Sequence, residues 1–335
     1  MLEKPNIPDE LIISCVQEGY DLRVSELTFI PIGADSRTAV YRAVSDESIA
    51  HFLKLRKNFD EVIVRVPAFL KESGVGAILV PLGATSQQLW ADFGEYKIIL
   101  YPFIEGKNGF EMELSDLHRQ SLGAALKEIH TAKIPSHLRS LVRKETFNAG
   151  WREDMRQYQA QAAKDIFTDP TAAKLAAFIR SKQNEITRVV EQSEQLADTL
   201  RSRDWDFVLC HSDIHGGNIL IGDTGELYIV DWDDPILAPK ERDLMFIGGG
   251  IDELWKSEEQ IEMFYQGYGN AQIDLAALAY YRYERVIEDL VVICDLLLPT
   301  DEGGEDRERS YGWFTSNFEP GQTVEIADRT AQSIR

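Results

Sequence analysis

His211-Ser212-Asp213-Ile214-His215-Gly216-Gly217-Asn218, followed by Ile229-Val230-Asp231, decides how the chain is read. Phe207 to His211 is a short apolar run that ends in this polar loop, and Asn218 opens another strand. Gly222-Asp223-Thr224-Gly225 is the turn of a hairpin whose second strand ends at Asp231. Pairing about that turn sets position 218 opposite 230 or 231, with the strands about 5 Å apart. The loop before Asn218 brings Asp213 to the same end of the hairpin. Two carboxylates and an amide oxygen are thereby expected to converge. Oxygen donors of this kind suit Mg2+, with Asp231 as the main ligand and Asn218 as the second. Asp213 is left to accept a hydrogen bond from an attacking hydroxyl, and phosphoryl transfer needs little more than such positioning and charge neutralisation. An isolated Asp-x-x-x-x-Asn is usually turn chemistry; His211 and the strand ending in Asp231 are what lift this one above it.

Outward from the loop, the first hundred residues read mainly as strands: Leu27 to Ile32, Ala39 to Val44, Ile49 to Leu55, Ile78 to Leu82 and Lys97 to Tyr101. One main helix is expected from Asn58 to about Ser73, with Asn58 and Glu61 at capping-box spacing. Lys54 lies in an apolar strand and is a candidate phosphate ligand, with Glu61 as a possible ion-pair partner. Gly33-Ala34-Asp35-Ser36 lies between two strands, where Gly33, Asp35 and Ser36 could cover phosphates with backbone N–H groups. Tyr101-Pro102-Phe103-Ile104-Glu105-Gly106 leaves the sheet with a Pro and a Gly, which marks a boundary. Beyond it the pattern is helical, from Leu114 to His130, through 150–200 with a break at Asp169-Pro170, and again from Glu258. Leu275 to Leu298 is one long amphipathic candidate, and Asp301 to Arg309 reads as a charged loop.

Composition narrows the partners. The 335 residues are 44% hydrophobic, enough for a large core. A net charge of −21 argues against nucleic acid or an anionic membrane and favours a cationic small molecule. Of that charge, −4 lies within the first 101 residues and −17 beyond them. Asp233, Asp234, Glu288 and Asp289 are candidates to hold substrate amines, although surface acids are usually just solvated. Three separated cysteines, no secretory pattern and no apolar run of spanning length give a cytoplasmic expectation.

The loop His-x-Asp-x-x-x-x-Asn resembles that of the aminoglycoside phosphotransferase family of protein-kinase-like enzymes. Longer stretches, Val208 to His215, Ala238 to Gly250, Ile99 to Ile104 and Tyr281 to Asp289, are similar to the branch of it that acts on spectinomycin. The resemblance implies an α+β, two-lobed fold: an antiparallel-sheet lobe over 1–101 for the nucleotide, a connector at 102–106, and a mostly helical lobe over 107–335 for catalysis and substrate. It makes Asp213 the catalytic base, Asn218 and Asp231 the Mg2+ ligands and Lys54 the partner of the α/β-phosphates. Backbone groups near Tyr101, Phe103 and Ile104 would face the adenine of ATP, with GTP also open, and Asp243 would brace the loop. The acceptor it implies is an aminocyclitol or aminoglycoside hydroxyl, spectinomycin first. Choline, homoserine or a sugar is the alternative acceptor. A zinc hydrolase using His211, Asp213 and His215 is a second class, and a non-catalytic binder a third.

Overall fold

A computed structural model of the chain describes residues 4–31, 38–251, 254–299 and 304–334. They form two compact units: Met1–Met112 with Thr131–Val142 and Gly217–Pro235, and Glu113–His130 with Arg143–Gly216 and Ile236–Arg335.

The first unit is built on five antiparallel strands in the order β1-β2-β3-β5-β4. These are β1 (Val24–Ile30), β2 (Thr38–Ser45), β3 (Ala50–Lys57), β4 (Ala91–Phe93) and β5 (Tyr96–Pro102). Alternation along β3 sends Leu53 and Leu55 into a core with Tyr41, Ile98 and Leu100. Phe52, Lys54 and Arg56 fall on the other face. Helix α1 (Asp9–Tyr20) closes the core with Ile12 and Val16, both fully buried. This helix was not expected, because only those two positions make a continuous buried stripe and Pro8 at its N-cap makes no side-chain capping bond.

Helix α2 runs from Val62 to Glu72, not from Asn58. Asn58 adopts φ 50°, and Asp60 Oδ1 accepts the Val62 N–H at 3.0 Å, so the capping box is not used. Ile78 to Leu82 is likewise no strand of the main sheet. Ile78 makes a single bridge to Ile229, and the fifth strand is β4, turned back from β5 at Gly94 (φ 59°). A second sheet in this unit joins Gly106–Asn108, Ile219–Gly222 and Leu227–Ile229. Its hairpin has the expected register, with Ile219 opposite Ile229, and a Cβ at Gly106 would lie 2.1 Å from the Ile221 carbonyl oxygen.

The second unit is mostly helical. Its axis is the helix Leu275–Leu297, capped by Asp274 Oδ1 on the N–H groups of Ala276 and Ala277, both at 3.0 Å. Helices Gly150–Lys164, Gln183–Arg201 and Thr323–Gln332 pack around it. Tyr280, Tyr281 and Tyr283 are core residues. Arg152 is also buried, between Glu284 Oε1 at 2.5 Å and Ser193 Oγ at 3.2 Å. The segment expected as a charged loop starts a helix, Gly304–Ser316, with 301–303 outside the described residues. Two of its charges have partners on the helix Pro170–Ser181 or at its cap: Arg307 reaches Asp169 at 2.7 Å, and the exposed Glu308 accepts from Thr171 and Lys174. Strand Val208–Cys210 pairs with Ile236–Ala238 and delivers the chain to His211.

Candidate active site

Asp243 is fully buried in the second unit and works as a two-pronged acceptor. Its Oδ1 takes the Ser212 N–H at 2.6 Å, and its Oδ2 takes the His211 N–H at 3.0 Å. His130 Nε2 lies 2.9 Å from the same Oδ2, and Tyr268 Oη lies 2.7 Å from His130 Nδ1. With a carboxylate on one side, Nε2 carries the proton and Nδ1 accepts from the tyrosine. The bonds matter because Ser212 sits at φ 74°, a left-handed conformation a non-glycine residue holds only when its surroundings impose it. The expected bracing role of Asp243 thus has a specific geometry. It fixes the two residues before Asp213.

Asp213 is half-buried, and its carboxylate is held at both oxygens. Arg285 Nη1 donates to Oδ1 at 2.8 Å, and His215 Nε2 lies 3.4 Å from Oδ2. Burial pushes this carboxyl up, but the His215 hydrogen bond and the Arg285 charge outweigh it and hold it well below the usual carboxylate range. It is an ionised acceptor. Arg285 also contacts Asp289 through Nε at 2.9 Å and lies over the Phe246 ring, 5.5 Å from its centroid. Burial raises Asp289 to about 6, helped by the Glu288 and Asp213 charges and opposed by Arg285.

That shift carries a prediction. The native protein binds a proton at Asp289 between its ordinary value of 3.8 and about 6, where the unfolded chain does not. Its contribution to stability is therefore greatest at low pH and falls as pH rises through that window. Asp289→Asn should remove this slope, measured as the difference in urea unfolding free energy between pH 4.5 and 6.5.

In the first unit, the Val230 N–H donates to the Asn218 carbonyl at 3.0 Å, so the hairpin ladder extends to the candidate metal ligands as expected. Asp231 follows at φ 65°, left-handed like Ser212. Lys54 Nζ donates to Asp231 Oδ1 at 2.5 Å and to Asp233 Oδ1 at 2.9 Å. Burial pushes Lys54 down, yet the two carboxylates raise it above its ordinary value, so it is a cation. Arg56 Nη1 takes the other oxygen, Asp233 Oδ2. Trp232 points the opposite way into the core, its Nε1 donating to the Ile229 carbonyl at 3.2 Å.

Two expectations are corrected by this geometry. Glu61 does not pair with Lys54; its Oε2 accepts from Arg65 Nε at 2.9 Å, the helical neighbour four residues on. Asp233 was expected to face substrate amines, but both its oxygens are engaged by Lys54 and Arg56. Asp234 is exposed. Gly33, Asp35 and Ser36 lie outside the described residues. Tyr101 stands opposite Phe52 in the sheet, the Phe103 N–H bonds the Ala50 carbonyl at 3.3 Å, and Ile104 follows in the same segment. Arg56, which pairs with Asp233 in the first unit, and Arg285, which pairs with Asp213 in the second, were not singled out from sequence. Strand alternation with Lys54 and the i, i+4 spacing to Asp289 were the signals present.

Among the described residues, one trio has metal-ligand spacing: His130, Cys210 and Asp243. It is engaged by the loop bonds above, and burial keeps the Cys210 thiol well above its ordinary value. His211, Asp213 and His215 form no such trio, and the His211 Nδ1 accepts the Asp213 N–H at 3.3 Å, so the zinc reading loses its ligand set. The site instead offers Asn218 and Asp231, hard oxygen donors with the Asp231 side chain 44% exposed, a set that fits Mg2+.

A braced His-x-Asp loop, a strand lysine on an aspartate and an antiparallel sheet unit define a kinase-like phosphotransferase. The chain belongs to the phosphotransferase enzyme family, whose model matches residues 28–282. It is 37% identical to spectinomycin phosphotransferase APH(9)-Ia, solved in complex with ADP and spectinomycin, with a TM-score of 0.91 over 98% of this chain and 100% of that one. Protein StrN of Streptomyces griseus is 24% identical over 280 residues, 79% of this chain and 85% of StrN. Amicoumacin kinase hAmiN shares the fold at 16% identity, with a TM-score of 0.66 over 97% of this chain and 94% of that one. No helix among the described residues is long and apolar enough to cross a membrane.

Proposed function

We propose that the chain transfers the γ-phosphate of ATP to a hydroxyl of spectinomycin, an aminocyclitol that carries amine cations. The observation that carries this reading is the 37% identity, over the full length, with an enzyme solved with ADP and spectinomycin. The site chemistry supports it. Residues 1–101 take the nucleotide, with Lys54 on its phosphates and the backbone of 102–106 on its base. Residues 107–335 supply the acceptor side. Asp213 accepts the hydrogen bond of the attacking hydroxyl and orients its oxygen. Asn218 and Asp231 hold Mg2+, which when bound neutralises charge on the phosphate oxygens. Glu288 and Asp289, on the helix that carries Arg285, are the acids we assign to substrate amines.

Incubation with ATP, Mg2+ and spectinomycin should give a product heavier by one phosphate by mass spectrometry. Streptomycin, kanamycin, choline and homoserine run in parallel, and GTP replaces ATP in a second series. Phosphorylation of another acceptor alone would keep the chemistry and discard the substrate. Asp231→Ala should weaken Mg–ADP binding by about tenfold or more, since a charged ligand is lost. Unchanged affinity by calorimetry would remove the metal assignment.

A further inference from the structure

We infer that Arg56 is a second phosphate-binding cation and that Asp233 is the anion with which nucleotide phosphates compete for it and for Lys54. The inference rests on the nucleotide reading above and extends it to residues that no comparison assigns. It starts from strand geometry. Positions 52, 54 and 56 share one face of β3 and succeed one another by about 6.6 Å, twice the rise per residue. Phe52 stands opposite Tyr101, where the sheet runs into the segment assigned to the base; Lys54 stands opposite Ile99, and Arg56 opposite Lys97. A nucleotide laid along this face from the base end meets an aromatic, then Lys54, then Arg56. Arg56 is therefore the cation nearer the terminal phosphates.

The electrostatics of the cluster point the same way. Arg56 is only 8% exposed, and its Nη1 donates to Asp233 Oδ2 and to Thr38 Oγ1, the latter at 3.4 Å. Asp233 gives its other oxygen to Lys54. One carboxylate thus bridges both cations, and with Asp231 the four groups sum to zero. An arginine needed only to hold the sheet would have no reason to share its carboxylate with the phosphate lysine. A guanidinium fork matches phosphate oxygens as well as it matches a carboxylate, so phosphate can replace Asp233 on both cations without leaving either buried charge unpaired. The ligand class is the terminal phosphates of a nucleoside di- or triphosphate.

Calorimetric titration with adenosine, ADP and a non-hydrolysable triphosphate in Mg2+ tests this on the wild type, Arg56→Met, Arg56→Lys and Asp233→Asn. Arg56→Met should lose about ten- to a hundredfold in affinity for ADP and the triphosphate while adenosine is unaffected. Arg56→Lys should recover part of that loss. Asp233→Asn should bind the triphosphate several-fold more tightly with adenosine affinity unchanged, and Arg56→Met in the same chain should take back most of that gain. Wild-type affinity for ADP and the triphosphate in Arg56→Met overturns the inference. Should that variant not fold, Asp233→Asn with no gain in triphosphate affinity overturns it. A wild type that binds adenosine but neither phosphorylated ligand would take down the kinase reading itself, and this inference with it.

Discussion

Asp213→Asn should reduce turnover by about three orders of magnitude and leave nucleotide affinity within about twofold. The size follows from the range for a positioned acid–base group, 10² to 10⁴. The substitution is nearly isosteric. An Asn oxygen can still accept from Arg285 Nη1, as Asp213 Oδ1 does at 2.8 Å, which leaves the amide NH2 where Oδ2 now lies. That position then donates instead of accepting, so it no longer orients a hydroxyl proton. The negative charge that offsets Arg285 is also lost. Arg285 keeps Asp289, so the substitution does not strand a buried cation. Single-turnover assays and ADP titration separate the two quantities, and retained turnover would dismiss Asp213 as the base. A pH profile adds a second check. The wild-type carboxylate is held below the usual range, so it stays ionised until pH falls through that depressed value. An acid limb near neutrality would belong to another group.

The parts of this site differ in how far the sequence announces them. The hairpin around Gly222–Gly225 is local: the turn sets the register, the register sets Asn218 opposite Val230, and no distant partner is consulted. His211 and Asp213 are legible for the same reason. Asp233 and Arg56 are not. Lys54 and Asp233 are 179 residues apart, and nothing local to either segment says that one carboxylate will serve two cations. Local spacing can also mislead. Asn58 and Glu61 have capping-box spacing, but the i, i+4 partner Arg65 lies closer at hand and takes the glutamate. Helix α1 was hidden by a narrow apolar stripe, because a helix that packs across one face of a sheet needs only Ile12 and Val16 fully buried in its core. Residues 304–309 were read as a loop and are helical for the converse reason. Two of their charges find Asp169, Thr171 and Lys174 on another helix or at its cap, and charge that is paired does not keep a segment out of a helix.

Asp213 can orient a hydroxyl only while the two residues before it are held, and this makes Asp243 the other position where a single change should be severe. Asp243→Ala is expected to destabilise the protein by about 3–5 kcal/mol, the scale for removing one partner from a buried charged network. Three donors lose their acceptor together: the His211 N–H, the Ser212 N–H and His130 Nε2. All belong to buried residues, so water does not replace the carboxylate cheaply. Asp243→Asn is the sharper probe of function. Its single oxygen can serve the Oδ1 or the Oδ2 position but not both, so the amide NH2 must face either the Ser212 N–H or the His211 and His130 pair. Ser212 then loses support for its left-handed backbone, or His130 turns away and releases Tyr268. Displacement of the loop by about 1 Å costs on the order of 10² in rate. The expected signature is a kcat reduced by about a hundredfold at a temperature where urea melts show the variant folded, with adenosine affinity unchanged. A folded Asp243→Asn protein with wild-type kcat would show that the loop keeps its conformation without this brace.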